Sequence, residues 1–137
     1  MKTSILRTLA TLSLSAVLGP VSLMAQLPIL VKVPFEFTVG SKSFAAGEYR
    51  IGEQTHHVLA VRSVDGRSAM MTMTHAGQPT TKPGEAKLTF NRYGDRYFLS
   101  NVSSNDSGWE LPKSTVEKEL AAKVALPQPK PVVLIAQ

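Results

Sequence analysis

Residues Ala86–Ser104, AKLTFNRYGDRYFLSNVSS, decide the fold of this chain. They predict a β-hairpin with Gly94 and Asp95 as its two-residue turn. Glycine at the first turn position suits the type II′ geometry, which matches the natural twist of the two flanking strands. The chain should therefore be built from antiparallel strands joined by tight turns.

That turn sets which residues face each other across the hairpin. The predicted pairs are Arg92 with Tyr97, Phe90 with Leu99, and Leu88 with Asn101. One face is apolar and is expected to be core: Leu88, Phe90, Tyr97 and Leu99. The other face is mixed and is expected to meet water for the most part; it carries Tyr93, Arg96, Phe98 and Val102 among polar residues.

The first strand signal lies in residues 29–39, ILVKVPFEFTV, where apolar and polar side chains alternate. A period of two over this length predicts one half-buried strand. Pro34 cannot donate a backbone hydrogen bond, so the strand should be an edge strand or carry a bulge. A short strand around Tyr49 and Ile51 follows two turns.

A second hairpin is predicted around Asp65-Gly66, a dipeptide with type I′ turn chemistry. Its strands are His57–Val64 and Arg67–His75, and both of its faces carry apolar residues. We therefore expect it to lie centrally in the fold. The predicted pairs are Val61 with Met70, Ala60 with Met71, and Val58 with Met73. The loop that follows, residues 76–85, holds two prolines and two glycines and is a candidate mobile lip.

The C-terminal part predicts one amphipathic helix over about residues 114–124. Ser114 and Glu117 have the spacing of a capping box. An apolar stripe of Val116, Leu120 and Val124 should pack on the domain. After the proline-rich linker, the apolar tail 132–136 is expected to pair with a sheet edge, in its own chain or a partner's.

These elements predict an all-β domain with one C-terminal helix. Strands and helices do not alternate, which argues against a parallel sheet and its nucleotide crevice. We expect an antiparallel meander that forms a small sandwich or a partly open barrel. The β-rich domain should span residues 26–126, and residues 127–137 form the linker and tail.

The first 25 residues have the features of a secretory signal peptide. Lys2 and Arg7 precede the short apolar run LATLSLSAVL, and Ala25 offers a small residue before a cut. A membrane span needs about 20 apolar residues, more than this run supplies. Cleavage and export to the periplasm or the outside of the cell are the prediction; a retained N-terminal anchor is the alternative.

Charge and cysteine content narrow the possible functions. The formal net charge is +5, but Lys2 and Arg7 would leave with the leader, so 13 basic and 10 acidic residues give +3 afterwards. That balance gives only weak attraction to anionic surfaces. The chain has no cysteine, which excludes disulfides, thiolate metal sites and a cysteine nucleophile.

Three blocks of sequence, in this order, support export and a β-rich fold: VPFEFTVGSKSFAAGEYRI, FNRYGDRYFLS and ELPKSTVEKELA. They resemble a group of small exported bacterial proteins, in which a Val-Pro-Phe-x-Phe opening precedes a Pro-Ala-Gly-x-Tyr turn. Ala45 stands where that group has proline. The group has no assigned activity, so the resemblance implies location and fold and brings no catalytic residue.

Candidate metal and catalytic sites are weak. His56 and His57 are predicted on one strand and so on opposite faces, with His75 opposite His56; no acidic residue is placed to complete a metal site. No Gly-x-Ser-x-Gly elbow is present. We predict no catalytic residue, no metal and no other cofactor.

The predicted binding residues are Tyr93, Arg96 and Phe98, on the outer face of the Ala86–Ser104 hairpin. We expect the late helix to cover this face. The alternative is that a partner binds it, because tyrosine and arginine are enriched among the residues that contribute most to binding free energy. Basic and aromatic residues interleave here as in single-strand-binding barrels, but export separates the protein from nucleic acid.

The sequence thus predicts an exported, non-catalytic binding or structural protein of the cell envelope or extracellular space. Its partner would be a protein or an anionic glycan, and the chain a monomer or weakly self-associating. A small periplasmic hydrolase with its site on the 76–85 loop is one alternative. A carrier of a small apolar ligand in the barrel interior is another, and an empty cavity of about 300 Å³ or more would favour it.

Overall fold

The computed structural model describes residues 28–80, 82–123 and 130–136. Its strands are β1 Ile29–Val33, β2 Phe37–Val39, β3 Lys42–Phe44, β4 Gly47–Thr55, β5 Val58–Ser63, β6 Ala69–Met73, β7 His75–Ala76, β8 Ala86–Tyr93, β9 Arg96–Ser103, β10 Gly108–Glu110 and β11 Lys130–Ala136. One helix, α1, spans Thr115–Lys123. The leader 1–25, the linker residues 127–129 and Val124 lie outside the described residues.

The strands form two sheets that enclose the core. An antiparallel sheet has the order β1-β4-β5-β6, and a curled half-barrel sheet has the order β11-β8-β9-β10-β7. Strands β2 and β3 join the second sheet, β2 through a parallel bridge from Thr38 to Phe98. The predicted class, a mainly antiparallel β domain with a late helix, is confirmed.

Residues 29–39 form two strands where the sequence predicted one. Strand β1 pairs with β4 in the first sheet, whereas β2 pairs with β3 and β9 in the second. The chain changes sheets at residues 34–36, next to Pro34, which has no N–H to offer a ladder. Val33 and Phe37 are both buried, so the alternation identified inward-facing residues correctly although the strand is broken.

A shared aromatic cluster joins the two sheets. The Phe37 ring lies 5.0 Å from the Tyr49 ring of the first sheet and 5.6 Å from the Phe90 ring of the second, in edge-to-face contacts. Phe44 stacks on Phe37 at 5.4 Å. Such pairs add to the free energy of burying each ring, so the short strand β2 is an important part of the core.

The β8–β9 hairpin has the predicted turn. Gly94 has φ +61° and Asp95 does not have a positive φ, as a type II′ turn requires. The pairs Arg92–Tyr97 and Phe90–Leu99 are confirmed.

Beyond Phe90 the predicted register is wrong by one residue. Thr89 pairs with Asn101 and Leu88 with Val102, because Ser100 is an extra residue in β9. The Ser100 hydroxyl donates to the carbonyl of Thr89 at 2.9 Å, and its carbonyl accepts from the Leu111 N–H. This bulge turns Val102 into the core, where it is fully buried.

The β5–β6 hairpin has the predicted register but a different turn and place. All three predicted pairs are present. Residues 64–67 form a four-residue loop in which Gly66 has a positive φ and Asp65 does not, so the turn is not type I′. The hairpin is not central either: β6 is the last strand of its sheet, because the chain turns after Met73 and β7 pairs with β10 in the other sheet.

The tail pairs with its own chain. Strand β11 lies antiparallel to β8 from Lys130 opposite Arg92 to Ala136 opposite Ala86, which confirms the predicted strand pairing. Val132 and Leu134 turn toward the core and Val133 and Ile135 toward water. On its other side β11 approaches β1 of the first sheet, so the two sheets come together there.

Helix α1 begins as predicted but buries a different face. The Ser114 hydroxyl accepts from the Glu117 N–H at 3.2 Å, the expected cap. Val116 is 39% exposed, whereas Glu117 is 3% exposed and is the buried residue of the helix. Of the predicted apolar stripe, Val116 is exposed and Leu120 is half-buried, and Val124 lies outside the described residues. Within the described part of the chain no helix is long and apolar enough to cross a membrane.

Candidate functional site

The outer face of the β8–β9 hairpin meets the helix through polar atoms. The Glu117 carboxylate accepts from the Tyr93 hydroxyl at 3.1 Å and from the Asn91 amide at 2.9 Å. It also lies in the first helical turn, where the helix dipole favours negative charge. These contacts allow a carboxylate to be buried where no ion pair to it exists among the described residues.

Tyr93 is held as a neutral donor. Burial, and then the negative charge of Glu117, raise the pKa of the Tyr93 hydroxyl to about 12. The phenol therefore stays protonated throughout the physiological pH range, and its hydroxyl donates a hydrogen bond to the Glu117 carboxylate.

The structure brings the three predicted binding residues together but leaves them unequally exposed. Tyr93 is 6% and Phe98 2% exposed, and their rings make an edge-to-face contact at 5.7 Å. Arg96 is exposed, with its guanidinium 5.3 Å from the centre of the Phe98 ring. The helix lies on this face, through Glu117, so only Arg96 of the three is accessible to a ligand.

The histidines are arranged differently from the prediction. His56 and His57 form the turn between β4 and β5, and their rings lie 3.9 Å apart. They are not strand neighbours on opposite faces. His75 belongs to β7 and pairs with Glu110, so it does not extend the β5–β6 hairpin. No group of three or more His, Cys, Asp or Glu residues that could hold a metal occurs in the described ranges.

The candidate lip is tied to its neighbours in the part that the structure describes. The Thr80 N–H donates to the carbonyl of Ser104 at 2.9 Å, and the Thr80 hydroxyl donates to that of Glu85 at 3.0 Å. The Gly77 N–H donates to the carbonyl of Gly108. A Cβ at Gly108 would lie 2.3 Å from the Gln78 carbonyl oxygen, so only glycine allows this segment to cross so closely over β10.

A large pocket opens at one end of the fold, where the starts of β1 and β8 meet the end of β11. We call it the end pocket; its volume is about 590 Å³. Its apolar lining comes from five separate parts of the chain: Ile29, Ile51, Ala86, Trp109 and Ala136. Ile51, Trp109 and Ala136 are almost fully buried, so the deep wall is apolar.

The charged residues of the end pocket all carry one sign. Glu53, Glu85 and Asp106 line it, and the described residues that line it include no lysine, arginine or histidine. Glu85 is half-buried and Asp106 is exposed, so these two carboxylates are more exposed than the apolar wall; the half-buried Glu53 already accepts a hydrogen bond from the His57 N–H at 3.0 Å. The pocket should therefore attract cations and repel anions, although the chain as a whole is basic.

Sequence reasoning did not identify this pocket. Trp109 was visible only as the single tryptophan in an irregular segment. The lining residues are separated by up to about a hundred positions, so no local pattern connects them. The one signal in the sequence is that the single tryptophan directly follows a glycine, Gly108.

Comparison with models of protein families, with curated proteins and with solved structures finds no match to this chain.

Proposed function

We propose that this is an exported, non-catalytic binding protein of the cell envelope or extracellular space, with the end pocket as its ligand site. The observation that carries the proposal is the pocket of about 590 Å³ with a buried apolar wall. Its volume falls within the ~300–1,000 Å³ typical of small-molecule sites. This volume also exceeds the ~300 Å³ above which a cavity favours binding of a small apolar ligand.

The lining suggests the class of ligand. Leu30, which is exposed, and Ile29 and Ala86, which are half-buried, would contact an apolar body above the buried Trp109, and burial of apolar surface would supply most of the affinity. The carboxylates of Glu85 and Asp106 near the mouth would favour a neutral or cationic head group. We infer a small amphiphile with a positive or uncharged head; an anionic glycan fits this pocket poorly.

Binding is favoured over catalysis by where the polar groups lie. The deep wall offers aliphatic and aromatic side chains, and the carboxylates stand toward the mouth, where water reaches them. A general acid or base needs to be held within hydrogen-bonding distance of the reacting bond. A ligand buried against Trp109 would place its apolar body there instead.

Trp109 provides a direct test, because it is the only tryptophan and it lines the pocket. The purified protein is titrated with decyltrimethylammonium and, separately, with decyl sulfate, each below its micelle concentration, while tryptophan fluorescence is followed. The cation should bind saturably, and at least about tenfold more tightly than the anion, a difference of about 1.4 kcal/mol.

A matched pair of variants locates the site. Ala86→Phe should fill the pocket and weaken binding of the cation at least about tenfold. Ala122→Phe, on an exposed position of the helix, should leave binding unchanged. Binding that is absent for both amphiphiles, or equal in the two variants, would show that the end pocket is not the ligand site.

A further inference from the structure

No strand among the described residues pairs with the outer backbone edge of strand β6. The Ser63 N–H donates to the carbonyl of Ser68, and the Thr74 N–H donates to that of His57, both at 2.8 Å. The β5–β6 register is regular between these two bonds. In an antiparallel pair every second residue points its N–H and C=O at the neighbour. Met70 and Thr72 therefore bond β5, and Met71 and Met73 direct their backbone groups away from the sheet.

One end of this edge is already covered. The Lys42 ammonium donates to the carbonyl of Ala69 at 3.0 Å. The free part of the edge is therefore Met71–Met73, where the Met73 carbonyl accepts only a long hydrogen bond of 3.4 Å from the Thr72 hydroxyl and keeps a second lone pair for a partner. Both methionine side chains lie on the outer face of the sheet, 56% and 73% exposed. Natural edge strands are usually protected by charged residues, proline or a bulge. Strand β6 has none of these, whereas β11, an edge strand of the second sheet, begins with Lys130-Pro131.

We propose that two copies of this protein associate through their β6 strands, paired antiparallel with Thr72 at the twofold axis. Met71 of each copy then lies opposite Met73 of the other, and each such pair exchanges two backbone hydrogen bonds. The two antiparallel sheets become one continuous sheet of eight strands, with four methionine side chains together on its outer face.

A second copy is the occupant that fits this edge best, because the edge is complementary to itself. The two free residues are placed symmetrically about Thr72, so a twofold axis satisfies every free group and leaves the Lys42–Ala69 bond in place. The strand carries no charge, so no like charges face each other across the axis. The contact involves the edge of only one short strand. It therefore buries an area far below the ~800 Å² per partner that a stable complex buries. The association is therefore weak and dependent on concentration.

Sedimentation velocity from micromolar to millimolar concentration tests the proposal on protein whose leader the cell has processed. The average sedimentation coefficient should rise with concentration toward that of a dimer. Amide exchange at Met71 and Met73 should slow over the same range.

Two variants change the edge in different ways. Met71→Lys places like charges on both sides of the axis, and Met73→Pro removes a free N–H without breaking a bond to β5. Each should weaken association at least about tenfold. Val133→Lys, at an exposed apolar position on β11 of the second sheet, is the control and should associate as the parent does. Circular dichroism checks that each variant folds.

The proposal is overturned by a sedimentation coefficient that does not change with concentration. It is also overturned if association persists in both edge variants, or if Val133→Lys abolishes it as they do. None of these readouts depends on the end pocket, so the ligand proposal stands or falls separately.

Discussion

Glu117 shows how one residue can satisfy two structural requirements. Its backbone N–H binds the Ser114 hydroxyl, as the capping-box pattern predicts, but its carboxylate accepts from Tyr93 and Asn91 of the β8 strand. The side chain thus fastens the helix to the hairpin. A buried carboxylate without donors would cost several kcal/mol, so the two neutral donors are needed for the helix to pack in this position.

Tyr93 leads to a prediction about alkaline pH. Its pKa is raised from 10.0 to about 12 in the folded protein, so the folded state holds the phenolic proton more tightly than the unfolded chain does. The resulting stabilisation is complete below about pH 10 and is lost as the pH rises toward 12. The free energy of unfolding, measured with urea, should fall across this range.

Tyr93→Phe provides the control for the pH dependence. Without the hydroxyl, Glu117 loses one donor, and stability near neutral pH should drop by about 1–3 kcal/mol. The remaining decrease between pH 10 and 12 should be smaller than in the parent protein. An equal decrease in both proteins would show that other groups, and not Tyr93, control alkaline unfolding.

At the scale of elements, single residues decide which face a strand turns to the core. Pro34 separates β1 from β2, and Ser100 adds the residue that rotates the end of β9. Because side chains alternate along a strand, one extra residue moves every later side chain to the opposite face. Val102 is core and not surface for this reason.

The bulge predicts that shortening two valines to alanine will reduce stability by very different amounts. Val102→Ala removes a fully buried side chain and should destabilise the protein by about 1.5–3 kcal/mol. Val133→Ala, at a half-exposed position on β11, should change stability by no more than about 0.5 kcal/mol. Urea unfolding of both variants measures the difference, and equal effects would mean that Val102 lies on the outer face after all.

Across the whole molecule, the two sheets are connected by the chain along one side, whereas along the other side their strands approach each other without hydrogen bonding. Thr74, which is buried, links β6 of the first sheet to β7 of the second. On the opposite side β1 and β11 approach without pairing. This difference leaves the barrel partly open and places the end pocket at the start of β1 and the end of β11.

The predicted leader has a consequence for the protein in the cell. Pro28 lines the end pocket, so cleavage after Ala25 would place the new N-terminus two residues before it in the sequence. The intact mass of the protein from the native extracytoplasmic fraction should correspond to a chain that starts at Gln26 or close to it. A mass that still includes Met1 to Leu23 would contradict export by a cleaved signal.

Much of the fold could be predicted from the sequence because its signals are local. Gly94-Asp95 specifies its turn within two residues, the registers near both hairpin turns follow directly, and Ser114 caps its helix three residues away. In each case the interacting groups are close along the chain, so residue type and spacing are sufficient to determine the geometry.

Only the tertiary structure decided the rest, because the deciding contacts join distant residues. Burial of Glu117 depends on Tyr93, 24 positions away, and outweighs the apolar stripe that the helix pattern favoured. The exposed edge of β6 depends on where β7 pairs. The end pocket exists because parts of five segments meet at the open end of the barrel. No local pattern encodes a cavity, since its shape is what packing elsewhere in the chain leaves unfilled.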